Sequence, residues 1–186
     1  MQFKNILFVS ALALGASAAP TTGSNATDIA PAVQNRFAQI DLGYQQTYLL
    51  LNHLVDNTNK TTADDVVAAY KATANVESKD VGKNQPTKPL SESTQLVICQ
   101  SFHSLALTGI QLNNAFVDNA SHFNKAQRND LQTALSKVND ETGHFFINVA
   151  KKALPYCLDT LQTDDKAIYK SLNAAATALD PSEALL

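Results

Sequence analysis

Glycine is scarce, and that alone closes off several chemistries. Six glycines in 186 residues leave little backbone for strained turns, and the chain has no G-x-S-x-G nucleophile elbow and no Gly-rich phosphate loop. There is no H-E-x-x-H. No two histidines stand four apart, the spacing that lets one helix face offer two zinc ligands. Basic residues are thin as well. The 14 Lys and Arg against 17 Asp and Glu give a net charge of −3 without a basic cluster, which argues against nucleic acid or an anionic membrane as the main partner. Long apolar runs are missing too: Ile6 to Leu14 is about half of the ~20 residues that span a bilayer, and nothing later comes closer. With 45% hydrophobic and 17% charged residues, the composition is that of a folded domain, neither disordered nor supercharged.

That short apolar run has a function of its own. Lys4 precedes it, and Ala16-Ser17-Ala18 follows as an A-x-A site, which is the build of a secretory signal peptide over 1–18. The C-terminal residues Asp180 to Leu186 lack the hydrophobic tail of a lipid-anchor signal, so the expected product is released and extracellular. Outside the cell, a lone cysteine pair reads as one disulfide, Cys99–Cys157, closing a loop worth roughly 4 kcal/mol in the chain-entropy model. The rival is two free thiols, which an oxidising medium attacks readily. N-x-[ST] sequons at Asn25, Asn59 and Asn119 all fall where the helical pattern is interrupted, as a glycan requires.

The rest of the chain reads as helix. After a small, polar tail over 19–27, residues Val33, Phe37, Ile40, Tyr44, Thr47, Leu51 and Leu54 recur in steps of three and four, with Asp28 as a cap. Thr62 and Asp65 make a capping pattern for a second helix, carrying Val66, Val67, Tyr70, Thr73 and Ala74 and ending near Lys79. Asp80 to Pro89 holds Gly82, Pro86 and Pro89 and is a loop, long enough to be a gate or crossover. A third helix runs from Ser91 to Asp118 on Ile98/Cys99, Phe102, Leu105/Ala106, Gly109, Leu112/Asn113 and Phe116; Leu96–Cys99 resembles a strand but has no partner strand. Asn124 opens a fourth helix on Leu131, Leu135, Val138, Thr142, Phe145, Val149 and Ala153, stopped by Pro155. A fifth starts after Thr163-Asp-Asp165 and presents Ile168, Leu172, Ala175 and Leu179. For Cys157 to reach Cys99, the chain at Pro155–Cys157 has to fold back over the third helix.

Candidate chemistry is sparse. His53, His103 and His144 lie beside three different apolar stripes, where half-buried hydrogen-bonded histidines explain them more simply than a zinc ion does. The pairs Asp64-Asp65 and Asp164-Asp165 read as helix N-terminal acids, favoured by the helix dipole, ahead of a glycosidase dyad. Large residues on helices 1, 3 and 4 face a small-residue helix 5 with Ala174, Ala175, Ala176 and Ala178. Such pairing gives either close helix packing or an apolar tunnel.

The leader MQFKNILFVSALALGASAAP, the helix within 28–60 and the all-helical mature domain resemble the fungal hydrophobic-surface-binding protein A family, which includes the Mp1-like cell-wall mannoproteins. The likeness is one of pattern over nearly the whole mature chain, without a short diagnostic motif, and the cysteine pair departs from it. The resemblance implies a non-catalytic helical bundle, associated with the cell wall, that adheres to apolar surfaces or holds a fatty acid in a central tunnel.

The expectation is therefore an all-α, single-domain antiparallel bundle of about five helices over 28–180 with one disulfide, and a short tail over 181–186. Its function is expected to be secreted, non-catalytic binding of a fatty acid, lipid or hydrophobic surface, with no metal or cofactor. The alternative is a secreted protein-interaction module such as an enzyme inhibitor or effector. Lining candidates are the stripe residues Phe37, Ile40, Tyr44, Leu51, Phe102, Phe116, Val138, Phe145, Val149, Ile168 and Leu172.

Overall fold

The computed structural model describes residues 30–77, 86 and 88–180. The expected signal peptide over 1–18, the tail over 19–27 with Asn25, the Asp28 cap, the end of helix 2 near Lys79, most of the Asp80–Pro89 connection and the tail over 181–186 lie outside those residues. Five long helices make up the described part, which contains no strand: α1 (Ala30–Val55), α2 (Ala63–Glu77), α3 (Glu92–Asp118), α4 (Lys125–Phe145) and α5 (Leu158–Ala178).

Local chemistry sets their ends. Between α1 and α2 the chain reverses through Asn57, Asn59 and Lys60, at φ of 53°, 56° and 53°; two of the three are asparagines, which tolerate left-handed backbone. The Asp65 carboxylate then accepts from the Thr62 N–H at 2.8 Å and the Thr62 hydroxyl at 2.7 Å, capping α2 and holding its own pKa below the ordinary value. Ser91 caps α3 by accepting from the Thr94 N–H. Asn124 and Gln127 close a reciprocal capping box on α4, with Asn124 Oδ1 accepting at 3.0 and 3.1 Å and Gln127 Oε1 accepting from the Asn124 N–H at 2.9 Å.

Consecutive helices run antiparallel, and cross-helix pairs give the layering. Phe37 meets Phe102 while Tyr44 lies against Gly109, so α1 and α3 run parallel. His103 meets Asp164 and Asn113 meets Ser171, so α3 and α5 run parallel as well. Asp64 pairs with Gln127 and Asn75 with Lys137, which aligns α2 with α4. The result is a layer of three helices, α1–α3–α5, packed on a layer of two, α2–α4, closed at the edges by α1 on α2 and by α4 on α5. At the first edge Gly43 is required by close approach: a methyl group there would lie 2.8 Å from Thr73 Cγ2 and 3.0 Å from Thr73 Cβ.

Aromatic rings fill the space between the layers in two clusters. Phe37, Phe102, Phe145 and Phe146 pack edge-to-face or stacked at centroid distances of 5.2–5.6 Å. Toward the other end, Tyr44, Tyr70, Phe116 and Phe123 form a second chain of contacts. Such pairs contribute about 0.5–1.5 kcal/mol each beyond their buried area.

The disulfide forms as expected between Cys99 and Cys157, with Cα atoms 6.5 Å apart. The chain folds back through a 3-10 turn, Pro155–Cys157, and lies on α3.

Two expectations need correction. The stripe from Asn124 to Pro155 predicts an uninterrupted α-helix, but α4 widens into a π-helical turn, Phe146–Ala150, before a last α-turn, Lys151–Ala153. Consecutive residues on an α-helix point about 100° apart. The wider turn lets both Phe145 and Phe146 reach Phe102, and both are buried. Second, the fifth helix begins at Leu158, directly after the 3-10 turn, and not after Thr163-Asp-Asp165. Leu161 is fully buried and starts the apolar stripe about two turns before Ile168. Asp164 and Asp165 are thus interior helix residues rather than N-terminal ones.

Candidate ligand-binding site

All eleven lining candidates are buried in one continuous core. Four of them, Phe37, Ile40, Phe102 and Phe145, come together on a cleft that also takes Arg36, Leu105, Glu141 and Thr142. Tyr44 and Phe116 belong instead to the second aromatic cluster. Leu51, Val138, Val149, Ile168 and Leu172 are packed elsewhere in the core.

Val76 of α2 is level with Arg36, whose Nη1 donates to the Val76 carbonyl. The cleft lies between α1 and α4. Arg36, Phe37 and Ile40 form one wall and Glu141, Thr142 and Phe145 the other; Phe102 and Leu105 of α3 form the floor. The floor is apolar and the rim polar, with Arg36, Glu141 and Thr142 half-buried. Its free volume is about 40 Å³. That holds roughly three water molecules and is well below the ~300–1,000 Å³ of ligand pockets.

A broader groove of about 440 Å³ runs along α2 and α4, lined by Asp64, Val67, Ala68, Lys71, Ala72, Asn75 and Asp130. It is shallow, and its polar groups already tie the two helices together. Lys71 pairs with Asp130 at 2.9 Å, Lys137 with Asn75 at 2.7 Å and Gln127 with Asp64 at 2.6 Å. These bonds fix helix register.

Among the described residues the histidines have separate partners and surroundings. His53 turns to the Asn59 amide, and the half-exposed His103 meets Asp164 at 3.0 Å across the α3–α5 seam. His144 is exposed. Among the described residues no three His, Cys, Asp or Glu side chains converge as a metal site. Burial pushes the Asp165 carboxyl above its ordinary pKa. Of the sequons, Asn59 is exposed in the α1–α2 turn, and Asn119 caps α3, its Nδ2 donating to the Ala115 carbonyl at 2.8 Å.

Three buried polar residues tie the helices together. Gln95 is buried where three segments meet. Its Nε2 donates to the Leu90 carbonyl at 2.7 Å, and its Oε1 accepts from the Tyr156 N–H at 2.8 Å, while the Leu90 N–H donates to Ala153 O at 3.0 Å. The entry to α3 and the connection into α5 are thereby clasped beside the disulfide. Asn113 donates to Ser171 Oγ at 3.0 Å, and that hydroxyl donates to Ile168 O at 2.8 Å, satisfying a buried polar pair between α3 and α5. A glutamine at the first turn of a strongly patterned helix is the only trace of the first device in the sequence; of the second, the stripe includes Asn113 beside Leu112 but not Ser171.

Among solved structures, the crystal structure of AfMp4p in complex with palmitic acid matches this chain with a TM-score of 0.54. The two chains share a fold. The match covers 81% of this chain and 99% of that one at 10% sequence identity. No family model matches the chain, and no curated protein matches it. No helix among the described residues is long and apolar enough to cross a membrane.

Proposed function

We propose that the protein is a secreted, non-catalytic binder of a single-chain lipid or fatty acid. The observation that carries this reading is the cleft between α1 and α4, whose apolar floor leads straight onto the Phe37–Phe102–Phe145–Phe146 cluster. An acyl chain entering there finds aromatic surface already gathered between the layers. The shared fold with a protein solved around palmitic acid supports the reading, as does the secretory leader. Glycans at Asn25, Asn59 and Asn119 and a place in the cell wall are further parts of the proposal.

Organic extraction of the purified protein followed by mass spectrometry tests it, together with displacement of the neutral probe N-phenyl-1-naphthylamine. The expected result is a co-purifying lipid or a displaceable probe, with both abolished by Thr142→Trp, which fills the cleft from its rim. An extract without lipid and a protein that binds no probe would rule the reading out.

A second reading, a protein-interaction module, draws on Leu42 and Leu49, seven residues apart on one face of α1 and 64% and 54% exposed. Leu42→Glu/Leu49→Glu should then abolish capture of a specific partner from culture fluid while leaving probe binding intact.

A further inference from the structure

We propose that the outer face of α1 and α3 is the contact surface of a homodimer, with Leu42 and Leu107 at its centre and a second copy of this chain as the occupant. The inference is independent of the binder reading, because Arg36, Phe37 and Ile40 line the cleft from the other side of α1.

The face is marked first by missing charge. No exposed position of α1 is Asp, Glu, Lys or Arg, and neither is any exposed position of α3 from Ser93 to Val117. Exposed charges stand on the other three helices, among them Asp65, Lys71, Asp130, Asp140, Lys166 and Lys170. A helix on the surface of a bundle ordinarily carries charged residues opposite its apolar stripe. Here α1 and α3 carry amides and leucines instead. The contacts Phe37–Phe102 and Tyr44–Gly109 share one register, which sets Leu42 level with Leu107, Gln46 with Gln111 and Asn35 with Gln100. An apolar row, with Leu42 64% and Leu107 57% exposed, is thus flanked along the helices by rows of exposed amides. The titratable side chain on the face, His103, already meets Asp164, and the half-buried Asp41 accepts from Gln45 at 2.8 Å.

Charge, chemistry and area all favour a second copy. Two copies of a net-negative chain approach through a neutral face without like-charge repulsion, and interface centres are depleted in charge. Each amide side chain both donates and accepts, so a row of amides is complementary to an identical row, as a twofold contact requires. The helices have 26 and 27 residues, hence lengths of about 40 Å, and neighbours pack ~8–10 Å apart. Together they present roughly 800 Å², the share each partner contributes to a stable interface of standard size. The sequons Asn59 and Asn119 lie in the turn after α1 and at the end of α3, so glycans there leave the centre of the face clear.

Sedimentation equilibrium of the purified protein across about 0.1–100 µM tests the proposal. The expected result is a reversible dimer whose dissociation constant changes little between low salt and about 0.5 M, since no charge pair crosses the face. Leu42→Glu/Leu107→Glu should raise that constant about a hundredfold, at tenfold or more for each central side chain. Ile147→Glu and Tyr169→Glu change exposed apolar residues away from the face and should leave it unaltered. Gln46→Lys/Gln111→Lys, which alters only exposed amides, should also weaken the dimer and guards against misfolding of the leucine variant. Binding of N-phenyl-1-naphthylamine should be the same in all variants, so failure of the dimer and failure of the binder reading are read separately. A monomer at every concentration overturns the proposal, including one that captures a different protein through Leu42 and Leu107. So does a dimer that survives both face variants or is lost with Ile147→Glu or Tyr169→Glu.

Discussion

Gln95→Ala should destabilise the protein by about 2–3 kcal/mol, although the side chain touches no ligand and belongs to no apolar stripe. The residue is only 3% exposed and makes two bonds to backbone groups, the Leu90 carbonyl and the Tyr156 N–H. Each bond lies in partly buried surroundings, so its loss costs near the lower end of the ~1–3 kcal/mol for an abandoned buried partner. The missing side-chain volume adds about 0.5–1 kcal/mol more. For a domain of this size the shift in Tm is roughly 5–10 °C. Circular dichroism during urea and thermal unfolding measures it, with the exposed Gln100→Ala as control. Gln95→Glu sharpens the test, because a carboxylate still accepts from the Tyr156 N–H but cannot donate to Leu90. It should fall at or below the alanine variant. Hydrogen exchange at the Tyr156 amide should quicken in Gln95→Ala. A loss under ~0.5 kcal/mol, the scatter expected of a surface change, would refute the claim that Gln95 holds the two connections.

Gly43→Ala should cost about 1–3 kcal/mol through the collision with Thr73, despite alanine's better helix propensity, and Thr73→Ala should relieve most of that loss. Strict additivity in the double-mutant cycle would sink the close-approach argument. Cys99→Ser/Cys157→Ser opens a loop of 58 residues and should lower stability by about 4 kcal/mol, read as a lower urea midpoint. An unchanged midpoint would count against it. Asp165 has its pKa raised by burial, so the stability linked to it is complete below the unfolded-state value and declines as pH rises through the folded-state value. Asp165→Asn should therefore raise Tm at pH 7, with the gain vanishing toward pH 3; a gain independent of pH would exclude the burial account.

Where one signal dominates, the sequence carries the answer. Val33, Phe37, Ile40, Tyr44, Thr47 and Leu51 all point inward because a 26-residue helix with one apolar stripe has one face to bury. The Asn124–Gln127 box and the Cys99–Cys157 bridge follow from local chemistry and from cysteine count, respectively. Failures come where two signals compete. At Thr163-Asp-Asp165 a strong N-terminal signature outweighed the apolar Leu158 and Leu161, whose burial starts the helix earlier with no side-chain cap at Cys157. At Phe145-Phe146 the chain leaves the α-helical period, and a π turn beginning at Phe146 accompanies the burial of both rings. The cleft was half legible. Phe37, Ile40, Phe102 and Phe145 stood among the stripe residues, but nothing along the chain separates them from Leu51 or Val149. Their distinction comes from how α1, α3 and α4 come together around one cleft, which is a property of assembly.

Energetics decides where such an interior yields to an acyl chain. Burying a sixteen-carbon tail contributes at most about 12 kcal/mol at ~0.8 kcal/mol per methylene, and micromolar affinity uses about 8 of that. The association cost starts at roughly 4 kcal/mol, so almost nothing remains for rearranging the protein. A cleft of about 40 Å³ must therefore widen by moves that keep apolar area covered. Shifting rings within the Phe37–Phe102–Phe145–Phe146 cluster exchanges one aromatic contact for another, at about 0.5–1.5 kcal/mol for each contact not regained. Moving the α3–α5 seam instead would strand the buried Asn113–Ser171 pair, with about 1–3 kcal/mol lost per unsatisfied group. The π turn adds a segment whose backbone bonds are already irregular, directly beneath Phe145 and Phe146. Room for a tail is thus made most cheaply at the α1–α4 mouth.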